Sequence, residues 1–269
     1  DLALLPGHLA IGHTRYSTTG SNKLANAQPF LAKSDQLEIA LAHNGNVINA
    51  VDLKAELEGW GCTFSSSNDS EILAQLIAHA PVSSWEDRMA YIMRRLQGAY
   101  SLSVMTKDKL IGIRDPLGVR PLCIGKLNKG WVIASESCAL DHIGAEYVRE
   151  VDPGEAVMID ERGLRTIYKR EADQPRASCI FEHIYFARPD SILDGHLAYL
   201  SRIGMGAKLA REHPVEADVV IAVPDTANAA AIGFARELNI PYSEGLIRNR
   251  YVGRTFIQPN QRFREFGVR

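Results

Sequence analysis

The sequence predicts an α+β first part, antiparallel hairpins covered by helices, followed by the beginning of an α/β unit. Three observations predict it: amphipathic helical stretches near the start, three strand–turn–strand patterns through the middle, and strand–helix–strand alternation toward the end. Taken in order, residues 9–11 and 38–42 read as short strands, and residues 51–57 and 70–79 as helices. The second helix carries Ile72, Leu73, Leu76 and Ile77 at helical spacing. Asp69 is placed to cap it, with Glu71 favourable in the first turn. Residues 85–96 form a third amphipathic stretch that stops near Gly98.

The period then changes from helical to alternating. Residues 99–105 pair with 110–114 across Lys107-Asp108, 122–124 with 131–134 across Asn128-Lys129-Gly130, and 156–159 with 164–168 across Glu161-Arg162-Gly163. The stretch 169–176 is polar and holds Pro175, so a boundary is expected there, dividing the chain into residues 1–172 and 173–269. Beyond it, residues 180–186, 219–223 and 243–247 read as strands, with helices at 196–213 and 228–238. Only about two or three parallel strands are visible where an open doubly wound sheet carries five or six, so this second part is expected to be unfinished.

Composition narrows the function classes. Hydrophobic residues make up 46% of the 269 and charged residues 23%, an ordinary balance for a chain with a buried core. With 30 basic and 32 acidic residues the net charge is −2, and no long run of one sign speaks for nucleic acid or a polybasic membrane anchor. No stretch approaches 18 uninterrupted apolar residues, so no membrane-spanning helix is expected. Cys62, Cys123, Cys138 and Cys179 form no C-x-x-C pair, which fits a reduced, cytoplasmic protein. The start has neither Met nor a signal peptide, and the end is polar and abrupt. Both termini therefore read as cuts, and the chain as an internal fragment.

Three short segments could carry chemistry together. In Gly12-His13-Thr14-Arg15-Tyr16-Ser17-Thr18-Thr19-Gly20, an Arg in a hydroxyl-rich loop suits a bidentate grip on a carboxylate, although alone it reads as a solvated loop. In Ala42-His43-Asn44-Gly45-Asn46, the Asn amide and the Gly N–H can point at one developing oxyanion, although alone Asn-Gly reads as a hairpin turn. In Ser67-Asn68-Asp69-Ser70-Glu71, a carboxylate can hold an ammonium group, although alone the run reads as a helix cap. A carboxylate grip, an oxyanion hole and an ammonium grip together would hold an α-amino acid and stabilise attack on its carbonyl.

This ordered set resembles the class II glutamine amidotransferases, which are N-terminal-nucleophile hydrolases with an αββα sandwich. By that resemblance Arg15, helped by Thr18, would bind the glutamine α-carboxylate, Asn44 and Gly45 would form the oxyanion hole, and Asp69 would bind the α-ammonium. The family's nucleophile is an N-terminal cysteine with its own amine as base. This chain starts with Asp1, so the nucleophile is expected in a missing segment, and the 269 residues are expected to be inactive alone.

The second half resembles the amidophosphoribosyltransferase family, which joins such a glutaminase domain to a phosphoribosyltransferase domain. The resemblance lies in residues 179–191, in Ile221-Ala222-Val223-Pro224-Asp225-Thr226, and in the long run 245–259. It implies that glutamine and phosphoribosyl pyrophosphate are converted to phosphoribosylamine, pyrophosphate and glutamate, the opening step of purine synthesis. Asp225 and Thr226 would lie at the pyrophosphate, where a helix N-terminus favours phosphate, and Thr226 would face its Mg²⁺. Arg248, Arg250, Tyr251 and Arg254 would close over phosphoribosyl pyrophosphate and exclude water. Cys179 sits where some members hold a [4Fe–4S] cluster, which needs about four thiolates; a buried free thiol is the equal alternative. The family's double-Asp phosphoribosyl motif is absent from these residues and is expected beyond Arg269. The resemblance further implies a homo-oligomer, a tetramer in the family, inhibited by purine nucleotides, with no nucleic-acid or membrane partner. A different class II amidotransferase and a non-catalytic glutamine- or nucleotide-binding relic stay open as alternatives.

Overall fold

The computed structural model describes residues 7–15, 23–170, 176–249, 251 and 260–268. They belong to two compact units, Asp1–Glu182 with Ser191–Asp194, and His183–Asp190 with Gly195–Arg269.

In the first unit the chain runs through β1 (Phe30–Lys33), β2 (Glu38–Val47), α1 (Ala50–Gly59), α2 (Asp69–His79), α3 (Trp85–Arg95), β3 (Gly98–Met105), β4 (Leu110–Arg114), β5 (Cys123–Leu127), β6 (Gly130–Ala134), α4 (Ser137–His142), β7 (Glu146–Glu150), β8 (Glu155–Asp160) and β9 (Gly163–Lys169). Two sheets result, a six-stranded one in the order β1-β2-β3-β4-β8-β9 and a three-stranded one in the order β6-β5-β7. All their pairings are antiparallel.

The layering follows from which side chains share a core. Successive strand residues point to opposite faces. On the large sheet, Ile39, Leu41, Leu102, Ile113 and Met158 pack with Leu57 of α1, Leu76 of α2 and Ile92 of α3. Val157 and Leu164 face the other way and pack with Ile124, Trp131 and Ile133 of the small sheet. Cys123, beside Ile124 in sequence, turns outward to Leu140 of α4. The order is helices, sheet, sheet, helix: the αββα sandwich expected above. Each wholly buried Leu or Ile contributes about 1.5–3 kcal/mol relative to exposure. The seam between α1–α3 and the large sheet holds most such side chains, among them Leu41, Leu57, Leu73, Ile77, Ile92 and Leu102.

The three hairpins form where the turn residues place them, with Leu127 opposite Gly130, Asp160 opposite Gly163 and Met105 opposite Leu110. Asn128 adopts the left-handed conformation its tight turn requires, at φ 53°. Four expectations change. Residues 9–11 form no strand. β2 continues past Ala42 to Val47, so Asn44-Gly45 lies inside a strand and not in a turn. The α2 cap is Asn68, whose side chain accepts the Ser70 N–H at 3.0 Å. Residues 180–186, expected as a strand, are helical, with a π-type turn over Glu182–Phe186; a short apolar run does not itself distinguish the two.

The second unit contains α5 (Ala198–Glu212), α6 (Asn228–Leu238) and α7 (Gln261–Val268). α5 and α6 meet through glycine. A Cβ on Gly206 would lie 1.9 Å from the Ala230 carbonyl oxygen, and one on Gly233 would lie 2.0 Å from that of Ile203. The expected strands at 219–223 and 243–247 are reduced, among the described residues, to one parallel bridge between Val220 and Tyr242. Ile221 and Val223 are 50% and 71% exposed, so among the described residues the apolar run is not buried on both faces as a central strand would be.

Candidate active site

The site grows from the middle of β2. Asn44 lies opposite Ser101 and Gly45 opposite Tyr100 on β3. Gly45 is required here. A Cβ would stand 2.1 Å from the Ala99 carbonyl oxygen, and its φ of +153° disfavours any other residue. The Asn44 side-chain oxygen accepts a hydrogen bond of 2.8 Å from the Arg120 guanidinium. Arginine has donors only, so the Asn44 amide is oriented by chemistry: oxygen toward Arg120, NH₂ away from it.

Arg120 ends a loop that is tightly held. The buried Asp115 carboxylate accepts the N–H groups of Leu117, Val119 and Arg120 at 3.0, 3.1 and 3.2 Å. Arg114 donates to the carbonyls of Gly118, Arg120 and Val151 at 3.2, 2.9 and 2.8 Å. The Arg120 side chain forms an ion pair with Glu182, itself buried. Burial raises the Glu182 carboxyl above its usual range, against the pull of Arg120.

The N-terminus of α2 is stitched to β2. Asp69, buried, accepts the Val47 N–H at 3.0 Å, and the Ser70 hydroxyl lies 3.0 Å from Nδ1 of His43. The His43 ring is 3.9 Å from the Asp69 carboxylate. Burial pushes His43 down to about 4, with His13 and Arg120 adding to the effect and Asp69 opposing it, so the ring is neutral near pH 7. Glu71 turns aside, accepting the backbone N–H groups of Ser65 and Ser66 at 2.8 and 2.7 Å.

Asn44 and Gly45 are neighbours on β2, and Asp69 is held to the same strand two residues further on, at Val47. The His13 ring hydrogen-bonds the main chain of His43, with Arg15 charged nearby. Arg15 thus follows by two residues a side chain that rests against β2. Thr18 lies outside the described residues. Asn44 offers an amide NH₂ turned away from Arg120, and Gly45 a backbone that no side chain covers. Sequence reasoning missed His43, Asp115 and Arg120. The Asp115-Pro116-Leu117-Gly118 turn signal was legible, but nothing local marks Arg120 as reaching Asn44, 76 residues away.

In the second unit Asp225 and Thr226 lie in the turn that leads into α6, after a cis peptide between Pro224 and Asp225. Arg248 pairs with Asp225 at 3.0 Å, both about half exposed, a contact worth little by itself. Tyr251 is fully exposed. Arg250 and Arg254 lie outside the described residues. Among the described residues no group of three or more His, Cys, Asp or Glu side chains could hold a metal. Cys179 is a half-buried free thiol, and burial pushes the Cys123 thiol up to about 12. Cys179 would supply at most one ligand of a cluster whose other thiolates are expected beyond Arg269, and the Thr226 hydroxyl is at most one Mg²⁺ ligand. No described helix is long and apolar enough to cross a membrane.

Residues 13–142 match the family described as "Glutamine amidotransferase domain". Among curated relatives, an amidophosphoribosyltransferase of Archaeoglobus fulgidus is 50% identical over 271 residues, covering 100% of this chain and 59% of its own length. That of Synechococcus elongatus is 49% identical over 274 residues, covering 100% and 55%. The chain spans about half the length of the curated relatives it matches. The solved glutamine phosphoribosylpyrophosphate amidotransferase from B. subtilis, complexed with ADP and GMP, superposes with a TM-score of 0.84 at 46% identity, over 96% of this chain and 56% of that one. Along nearly its whole extent the chain is thus similar, in sequence and in fold, to about half the length of the amidophosphoribosyltransferases.

Proposed function

We propose that the protein to which this chain belongs hydrolyses glutamine to glutamate and ammonia and transfers the ammonia to phosphoribosyl pyrophosphate, releasing pyrophosphate and forming phosphoribosylamine. Residues 1–172 are the glutaminase domain in this reading, and residues 173–269 belong to the phosphoribosyltransferase domain. What supports it is an Asn44 amide oriented by Arg120, a neighbouring Gly45 that admits no side chain, and an Asp69 carboxylate held to the same strand at Val47.

In the glutaminase step Asp69 holds the α-ammonium, while Arg15 and Thr18 hold the α-carboxylate, which fixes the side-chain amide for attack. Negative charge then develops on the amide oxygen, and the Asn44 NH₂ and Gly45 N–H stabilise it. The attacking group is an N-terminal cysteine, by family likeness. Cys62 and Cys123 are unsuited to that role, since burial raises both thiols and keeps them protonated. Asp225 and Thr226 bind the pyrophosphate group ahead of α6, and Arg248, Arg250, Tyr251 and Arg254 cover the phosphoribosyl substrate. Mg²⁺, when bound, would neutralise pyrophosphate charge, with the Thr226 hydroxyl as one contact. A homo-oligomer in the cytoplasm under purine-nucleotide inhibition completes the reading; the B. subtilis relative is complexed with ADP and GMP.

The test is steady-state kinetics of the full-length protein with Arg15→Ala. A lost charged hydrogen-bond pair should raise the glutamine KM about 10–100-fold and leave the phosphoribosyl pyrophosphate KM within about twofold. Equal effects on both constants would remove Arg15 from the glutamine site.

A further inference from the structure

We infer that Arg120 is a positioning residue for glutamine hydrolysis: it fixes which end of the Asn44 amide meets the developing oxyanion. The inference rests on the glutaminase reading of Asn44. An asparagine amide has two nearly isosteric ends, one a donor and one an acceptor. Only the NH₂ end stabilises negative charge; the oxygen end would repel it. Left to itself, the side chain would sample both rotations about its last bond.

The contact with Arg120 removes that choice. A guanidinium only donates, so it holds the oxygen of Asn44, at 2.8 Å, and leaves the NH₂ facing away. The guanidinium is held in turn from both ends. Its side chain is paired with the buried Glu182. Its backbone N–H and carbonyl are fixed by Asp115 and Arg114 at 3.2 and 2.9 Å. Such double anchoring is what preorganised electrostatic stabilisation requires, because no reorientation is then needed as charge develops. Burial keeps His43 neutral, and the Arg120 charge adds a smaller push in the same direction.

The experiment uses the full-length protein as wild type, Asn44→Ala, Arg120→Ala, Arg120→Lys, Glu182→Gln and the Asn44→Ala/Arg120→Ala double variant. Glutamine hydrolysis gives kcat and KM separately, and circular dichroism reports folding. Loss of one oxyanion donor costs about 100–1,000-fold in kcat, so Asn44→Ala is expected in that range. Arg120→Ala is expected to lower kcat about 10–100-fold with the glutamine KM within about threefold, and Arg120→Lys to recover part of that loss. Because Arg120 acts through Asn44, the double variant should be no slower than Asn44→Ala alone. A raised KM at unchanged kcat, or losses that multiply in the double variant, would overturn the inference. Where Arg120→Ala does not fold, Glu182→Gln decides: an undiminished kcat overturns it, and a fall of about threefold or more at constant KM supports it. An Asn44→Ala variant as active as wild type would instead strike down the oxyanion reading itself, whatever Arg120 does.

Discussion

Replacing Gly45 with alanine adds one methyl group at the most crowded point of β2, and the cost can be worked from geometry. The new Cβ would stand 2.1 Å from the Ala99 oxygen and 2.8 Å from its carbon. Both are backbone atoms of the neighbouring strand, so no rotamer change relieves the clash. Restoring an ordinary contact of about 3.3 Å means parting β2 from β3 by roughly 1.2 Å in the middle of the large sheet. That weakens about two ladder hydrogen bonds at about 1 kcal/mol each and adds about 1 kcal/mol for the unfavourable backbone angle. The expected destabilisation is about 3 kcal/mol. Gly163→Ala is the control: it shares a positive φ, +92°, but has nothing within 4 Å of the new Cβ, and should cost only about 1 kcal/mol. Trp60, Trp85 and Trp131 are the chain's three tryptophans and all lie in the first unit. Urea unfolding followed by tryptophan fluorescence therefore reads that unit alone. If the two variants differ by less than about 0.5 kcal/mol, the close approach at Gly45 does not constrain the sheet as described.

Two other outcomes follow from the same geometry. His43 is displaced from 6.5 to about 4, so between these values the unfolded chain binds a proton that the folded chain refuses, and stability is lost as pH falls through that window. His43→Gln should remove up to about 3 kcal/mol of this acid sensitivity, seen as a shrinking stability gap to wild type between pH 7 and 4.5 in urea melts; a constant gap would argue against a buried neutral ring. In the second unit Gly206→Ala should cost about 2–3 kcal/mol by pushing α6 from α5 at Ala230, measured by far-ultraviolet circular dichroism, and a loss under about 1 kcal/mol would contradict the close packing.

What was legible in the sequence was local. The hairpins at Asn128 and at Glu161-Arg162 could be read because a turn is chosen by the few residues within it. The extents of α2 and α3 followed from apolar spacing and from polar residues at their starts. The misreadings share one physical origin. Asn44-Gly45 has the local propensity of a turn, but the register with β3, and the Ala99 carbonyl at its back, hold it extended. Asp69 and Asn68 are equally good caps by type; Asn68 takes the cap because Asp69 is engaged by the Val47 N–H across 22 residues. Residues 219–223 have the composition of a central strand, and composition cannot say whether neighbouring strands are there to pair with. Within the candidate site, Arg15, Asn44, Gly45 and Asp69 were singled out through resemblance and order along the chain. Arg120 and His43 acquire their significance only from contacts that span dozens of residues.

The run Asn68-Asp69-Ser70-Glu71 has a consequence for how this protein can drift. Each of the four answers to a different region: Asn68 to the start of its own helix, Asp69 to Val47, Ser70 to His43, and Glu71 to Ser65 and Ser66. Even a conservative exchange, Gln for Glu at position 71, takes an acceptor oxygen from one of the Ser65 and Ser66 amides. A single substitution in this segment is therefore felt away from its own position, at whichever stretch of chain the altered side chain had held.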